Sequence, residues 1–96
     1  MADIYTVLAA SAQVHTGEGI LTGLVVSNSG AAGAKLTLYD NVGAGGTLLF
    51  QIDVAPVAAE QPFVLFFSDR FAPRFSTGLY AQLAIGLSLN LWGVGV

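Results

Sequence analysis

The 96-residue chain contains no cysteine, a single histidine and only three basic residues. The first absence removes disulfides, thiolate nucleophiles and cysteine-based zinc sites together, and leaves the compartment open. Charged residues make up 9% of the chain against about 25% in ordinary soluble domains, so most outward-facing positions must be uncharged. Lys35, Arg70 and Arg74 are too few and too scattered to form a stripe that neutralises phosphates, which argues against nucleic acid as a partner. Asp3, Glu18, Asp40, Asp53, Glu60 and Asp69 are dispersed in the same way and bring the formal net charge to −3. Residues 75–96 carry no charge at all.

What the chain does contain is apolar residues, 54% of the total, a balance that excludes an intrinsically disordered polymer. Their spacing is that of strands. Leu79, Ala81 and Leu83, followed by Ile85, alternate with Tyr80, Gln82 and Ala84. Leu87, Leu89 and Leu91 then alternate with Ser88, Asn90 and Trp92. As a helix, the uncharged C-terminal run would place Gln82, Ser88, Asn90 and four glycines around its circumference, so no membrane span is expected. Asp3 stands where a secretory leader carries bases, and no secretion signal is expected either.

Glycine, proline, asparagine and aspartate punctuate the rest into short apolar runs, the pattern of an all-β domain. Strands are expected over residues 4–10, 12–16, 20–28, 35–40, 47–54, 63–67, 79–85 and 87–94, with Gly23 marking a bulge. In the fifth, Leu48, Phe50, Ile52 and Val54 should face the core, with Gln51 and Asp53 outside. Residues 63–67 are almost continuously apolar, which predicts a central strand buried on both faces or one covered by a neighbouring subunit. The last two strands meet at Gly86, in a turn that takes in Gly86 alone or Ile85 and Leu87 as well. Residues 1–96 thus read as a single β-sandwich domain of about seven or eight antiparallel strands, with jelly-roll or immunoglobulin-like topology.

Chemistry is sparse. His15 is the sole imidazole, no serine lies in a Gly-x-Ser-x-Gly setting, and no carboxylates have metal-binding spacing, so no catalytic, cofactor or metal residues are assigned. The glycines of residues 41–46 resemble a phosphate cradle, but a strand follows them where a helix and a lysine are required. One charge constellation remains. Asp69, Arg70 and Arg74 interleave with Phe71 and Phe75, a mixture of arginine and aromatic residues enriched at interface cores. The tail of Trp92, Val94 and Val96 has no polar terminus and is expected to lie buried between subunits. Arg70, Phe71, Arg74, Phe75, Trp92, Val94 and Val96 are therefore the candidate interface residues. Trp92 and Tyr80 carry a second possibility, stacking on sugar rings.

Three stretches carry a resemblance: Gly19-Ile20-Leu21-Thr22-Gly23-Leu24-Val25-Val26, Lys35-Leu36-Thr37-Leu38-Tyr39-Asp40-Asn41, and Arg74-Phe75-Ser76-Thr77-Gly78-Leu79-Tyr80-Ala81. Together they make the chain similar to small all-β structural proteins of tailed bacteriophages. The resemblance implies a non-enzymatic virion component made in the host cytoplasm. Its implied form is a capsid decoration or cement protein, a homotrimer on the capsid surface bound to the major capsid protein or another virion protein. The alternative it leaves is a head-fibre, tail or baseplate component with a receptor- or carbohydrate-binding role.

Overall fold

The computed structural model of the chain describes residues 2–30, 33–43, 45–55, 63–68 and 72–95. These residues form strands and no helix: β1 (Ala2–Leu8), β2 (Ala12–Thr16), β3 (Gly19–Asn28), β4 (Ala34–Asp40), β5 (Thr47–Val54), β6 (Phe63–Phe66), β7 (Arg74–Phe75), β8 (Gly78–Leu83) and β9 (Leu87–Gly95). Two antiparallel sheets pack into a β-sandwich. Sheet A has the order β1-β9-β3-β6, with the short β7 also on β3, and sheet B has the order β2-β8-β4-β5. With β7 set aside, the pairs are β1 with β9, β2 with β8, β3 with β6 and β4 with β5. That is the pairing of one long hairpin, bent between β4 and β5 and rolled into two layers.

The alternation seen in the sequence decides which side chains enter the layer between the sheets. From sheet A come Leu21, Leu24, Val26, Leu89 and Leu91, and from sheet B Leu36, Leu38 and Leu79; all eight are fully buried. Removing one such side chain from water contributes about 1.5–3 kcal/mol, so this seam is the main source of cohesion. Its polar closure is Asn28, itself buried. The Asn28 amide donates to the Val54 carbonyl at 2.8 Å, and its Oδ1 accepts the Gly30 N–H at 2.9 Å. One side chain therefore ties the end of β3 in sheet A to the end of β5 in sheet B.

Irregularities in the ladders account for most departures from simple alternation. The expected bulge at Gly23 is present as a register shift between Leu21 and Gly23 opposite β9. A second shift, between Leu38 and Tyr39, gives β5 one extra residue. As a result Leu49 packs on the core, whereas Leu48 turns out to solvent and pairs with Tyr39, contrary to the inward position expected of Leu48. Residues 63–66 are not a central strand. Among the described residues β6 pairs only with β3, and its Val64 and Phe66 side chains are exposed. The charged corner before Phe75 contains the short strand β7, which pattern reading missed.

The connection between β8 and β9 crosses from one sheet to the other. The Leu87 N–H donates to the Ala84 carbonyl at 3.3 Å, and Gly86 has a φ of 99°, as the third residue of a type II turn requires. Ile85 is thereby lifted out of the row begun by Leu79 and is 99% exposed.

Replacing Asn28 with Ala leaves the Val54 carbonyl and the Gly30 N–H short of a partner at a buried site. The expected loss is about 1–3 kcal/mol, read as a lower urea midpoint with an unchanged slope. An unchanged midpoint would show that Asn28 does not hold the sheets together.

Candidate functional site

The two outer faces of the sandwich differ in chemistry. Cross-strand register places three rows of side chains on the outside of sheet A. Tyr5, Trp92, Gly23 and Phe66 form the middle row, running from β1 through β9 and β3 to β6. Val7, Asn90, Val25 and Val64 form a second, and Asp3, Val94, Ile20 and Arg74 the third. Most of these residues are apolar and incompletely buried, with Phe66 70%, Tyr5 67% and Val7 62% exposed. An exposed, largely apolar surface of this extent across four strands is unusual for a folded domain.

Gly23 shapes the middle of that face. A Cβ at this position would lie 2.6 Å from Trp92 Cζ2, so the missing side chain is what allows the indole to lie across β3. There it meets the Phe66 ring at a centroid distance of 5.5 Å and a tilt of 58°.

Outside sheet B the pattern is polar and largely uncharged. Thr37 lies between Gln51 and Gln82, and Tyr39 lies beside Tyr80. Gln51 Nε2 donates to Thr37 Oγ1 at 3.1 Å, and Lys35 and Asp53 approach to 4.0 Å as an exposed pair. A cleft of about 290 Å³ is lined by Ser11, Thr37, Tyr39, Gln51 and Gln82.

The candidate interface residues separate on this framework. Trp92 and Val94 lie half-buried on the outer face of sheet A, and Arg74 is exposed at its edge. Phe75 points the other way. It is 3% exposed in the core of its own subunit, edge-on to His15 at 5.8 Å, because β7 alternates and Arg74 takes the outward position. Arg70, Phe71 and Val96 lie outside the described residues. β9 is an interior strand of its own subunit, held between β1 and β3, so the C-terminal strand is first a fold element and only through Trp92 and Val94 an outer surface. Trp92 and Tyr80 are on opposite sides of the sandwich and form no common aromatic platform.

His15 packs against Phe75, and among the described residues its imidazole has no hydrogen bond. No group of three or more His, Cys, Asp or Glu side chains converges among the described residues. Asp40, which lines a cleft of about 270 Å³ with Glu18, Arg74 and Ser76, is already engaged. Its carboxylate accepts the backbone N–H groups of Ser76 at 3.0 Å, Thr77 at 2.9 Å and Gly78 at 3.3 Å, and the Ser76 hydroxyl at 3.2 Å. These bonds, that of the Ser76 N–H first and that of Thr77 next, hold the Asp40 carboxyl below the usual carboxylate range against a smaller effect of desolvation. Asp40 is a clamp on the turn between β7 and β8.

The face of sheet A includes residues that pattern reading did not single out, namely Tyr5, Val7, Ile20, Val25, Val64 and Phe66. A signal for them exists in β1, β3 and β6, where both alternating sets are rich in apolar residues. No protein-family model matches this chain, and the comparisons with curated proteins and with solved structures found no match either.

The depressed pKa of Asp40 sets a pH dependence. A carboxyl with a lowered folded-state pKa contributes stability that is complete above its unfolded value, near pH 4, and is lost as pH falls through the folded value. Asp40→Asn should remove that component, so wild type and variant should converge in urea midpoint as the pH is lowered below about 4. A gap that stays constant as the pH is lowered further would contradict the clamp.

Proposed function

We infer that the chain is a non-enzymatic structural subunit of a virus particle, most specifically a decoration or cement protein. In this role it associates with copies of itself, binds the major capsid protein or another virion protein at the capsid surface, and stabilises the head of a tailed phage. The observation that carries this reading is the apolar outer face of sheet A, left open by a chain with few charges to solvate it. Such a face is a liability for a free subunit and an asset for one that is to be covered. The role needs no catalytic residue, cofactor, nucleic acid or membrane, and synthesis in the host cytoplasm is sufficient for it.

The strand order supports the same reading. A rolled hairpin with the orders β1-β9-β3-β6 and β2-β8-β4-β5 favours jelly-roll over immunoglobulin-like topology, and jelly rolls recur in capsid and lectin domains. This is an argument from fold analogy. The resemblance read from residues 19–26, 35–41 and 74–81 implies the same role. The mechanism is mechanical: many copies, each with modest contacts, resist the pressure of the packaged genome through multivalent attachment.

A second reading, a head-fibre, tail or baseplate component that binds a receptor or carbohydrate, draws on the outer face of sheet B. There Tyr39, Lys35 and several uncharged donors and acceptors line a shallow cleft, and Tyr80 lies beside Tyr39 on the same face, a surface suited to sugar hydroxyls.

Added to empty shells of its phage, the purified protein should bind saturably and raise their disruption temperature. Shells that neither bind it nor gain stability, with retention of the protein on a glycan surface instead, would replace the first reading with the second.

A further inference from the structure

The rows on sheet A end in unlike residues. Asp3 on β1 and Arg74 on β7 occupy the same row at opposite edges, separated by Val94 and Ile20. Both are exposed, and among the described residues neither has an ion-pair partner. The other rows end in Tyr5 against Phe66 and in Val7 against Val64. The edge strands also differ in direction, since β1, β9, β3 and β6 alternate, making β1 antiparallel to β6.

Rotation about an axis parallel to the strands moves a copy around without changing the height of any residue. The β1 edge of one copy then meets the β6–β7 edge of the next row by row: Asp3 against Arg74, Tyr5 against Phe66 and Val7 against Val64. The antiparallel alternation of the sheet continues across the junction. Charge, apolar surface and strand direction therefore match between the two edges of one sheet.

The width of the face sets the number of copies. Four strands at about 4.8 Å present a face about 19 Å wide, and three such faces form a prism whose walls stand about 5.5 Å from the axis. One layer of side chains fills about half the ~10 Å spacing of packed sheets, so three walls close on a filled interior. Four walls would stand about 9.5 Å away and leave a channel. Two copies stacked face to face would fill the gap as well but would leave both edges of sheet A unpaired, the exposed condition that edge strands avoid.

We propose that the outer face of sheet A lines the axis of a three-sided homotrimer, with the β1 edge of each copy seated against the β6–β7 edge of the next. The assignment deepens the reading of the chain as a self-assembling structural subunit and rests on it for the trimer alone, not for the shell.

The chain's lack of cysteine permits a direct test. In the Val7→Cys/Val64→Cys variant the two thiols of one subunit are on opposite edges, three strand spacings or about 14 Å apart, too far for a disulfide. Mild oxidation should give a covalent species of three times the 9.9 kDa chain mass. Covalent dimers as the end product, or monomers only, would overturn the proposal. Charge exchange supplies a second measurement. Asp3→Arg and Arg74→Asp should each weaken association about ten-fold at low salt, and the double variant should recover it. Failure of the double variant to recover, with all three variants folded by circular dichroism, would also overturn it. A trimer that passes both tests and ignores shells would instead refute the decoration role, and a shell-binding protein that fails both would refute only the trimer.

Discussion

Strand β9 has a fully apolar inner face and an outer face that carries Trp92 and Val94 beside Ser88 and Asn90, and a sandwich has one interior. Leu87, Leu89 and Leu91 fill the inner side, which leaves Trp92 and Val94 outside with Ile20 and Val25 of β3 beside them. The geometry of a strand forces this outcome, because successive side chains point to opposite sides of the sheet. Everything specific about the molecule follows from the way the second face is accommodated. Within the subunit it is tempered by the bulge in β3 and by Gly23, which let the indole lie flat. Much of the remaining apolar area stays exposed in the single chain.

Two polar side chains, one buried and one near the surface, are committed to architecture. Asn28 joins the two sheets, and Asp40 uses its carboxylate to organise the turn that sends the chain from β7 in sheet A to β8 in sheet B. Both lie where the chain or the packing crosses between layers, the places where backbone groups lose their ladder partners and need side chains instead. The outer faces of the two sheets thus differ, largely apolar on sheet A and polar with few charges on sheet B.

The strands themselves were legible in the sequence, since alternation survives wherever a strand is regular. Residues 47–54 show the limit. One inserted residue at the β4–β5 bulge exchanged Leu48 for Leu49 at the core, and nothing in a run of Leu48, Leu49 and Phe50 marks which leucine turns inward. The apolar run of residues 63–66 was ambiguous for a related reason: a strand buried on both faces and an edge strand with an uncovered outer face have the same composition. Phe75 was misplaced because a two-residue strand is too short for its period to show. Trp92 and Val94 were singled out from the apolar tail and Phe66 fell within the apolar run of residues 63–67, whereas their place in one surface with Tyr5 emerges only from cross-strand register. That register joins residues up to about ninety positions apart in sequence.

Trp92 is the chain's only tryptophan and lies in the middle of the apolar face, so its fluorescence reports directly on whether that face is covered. Collisional quenching by acrylamide, measured across a wide range of protein concentration, is the most direct test. The account predicts an indole shielded at high concentration that becomes accessible, with a red-shifted emission, as dilution separates the subunits. Equal accessibility at every concentration, with the mass of a single chain throughout, would contradict it.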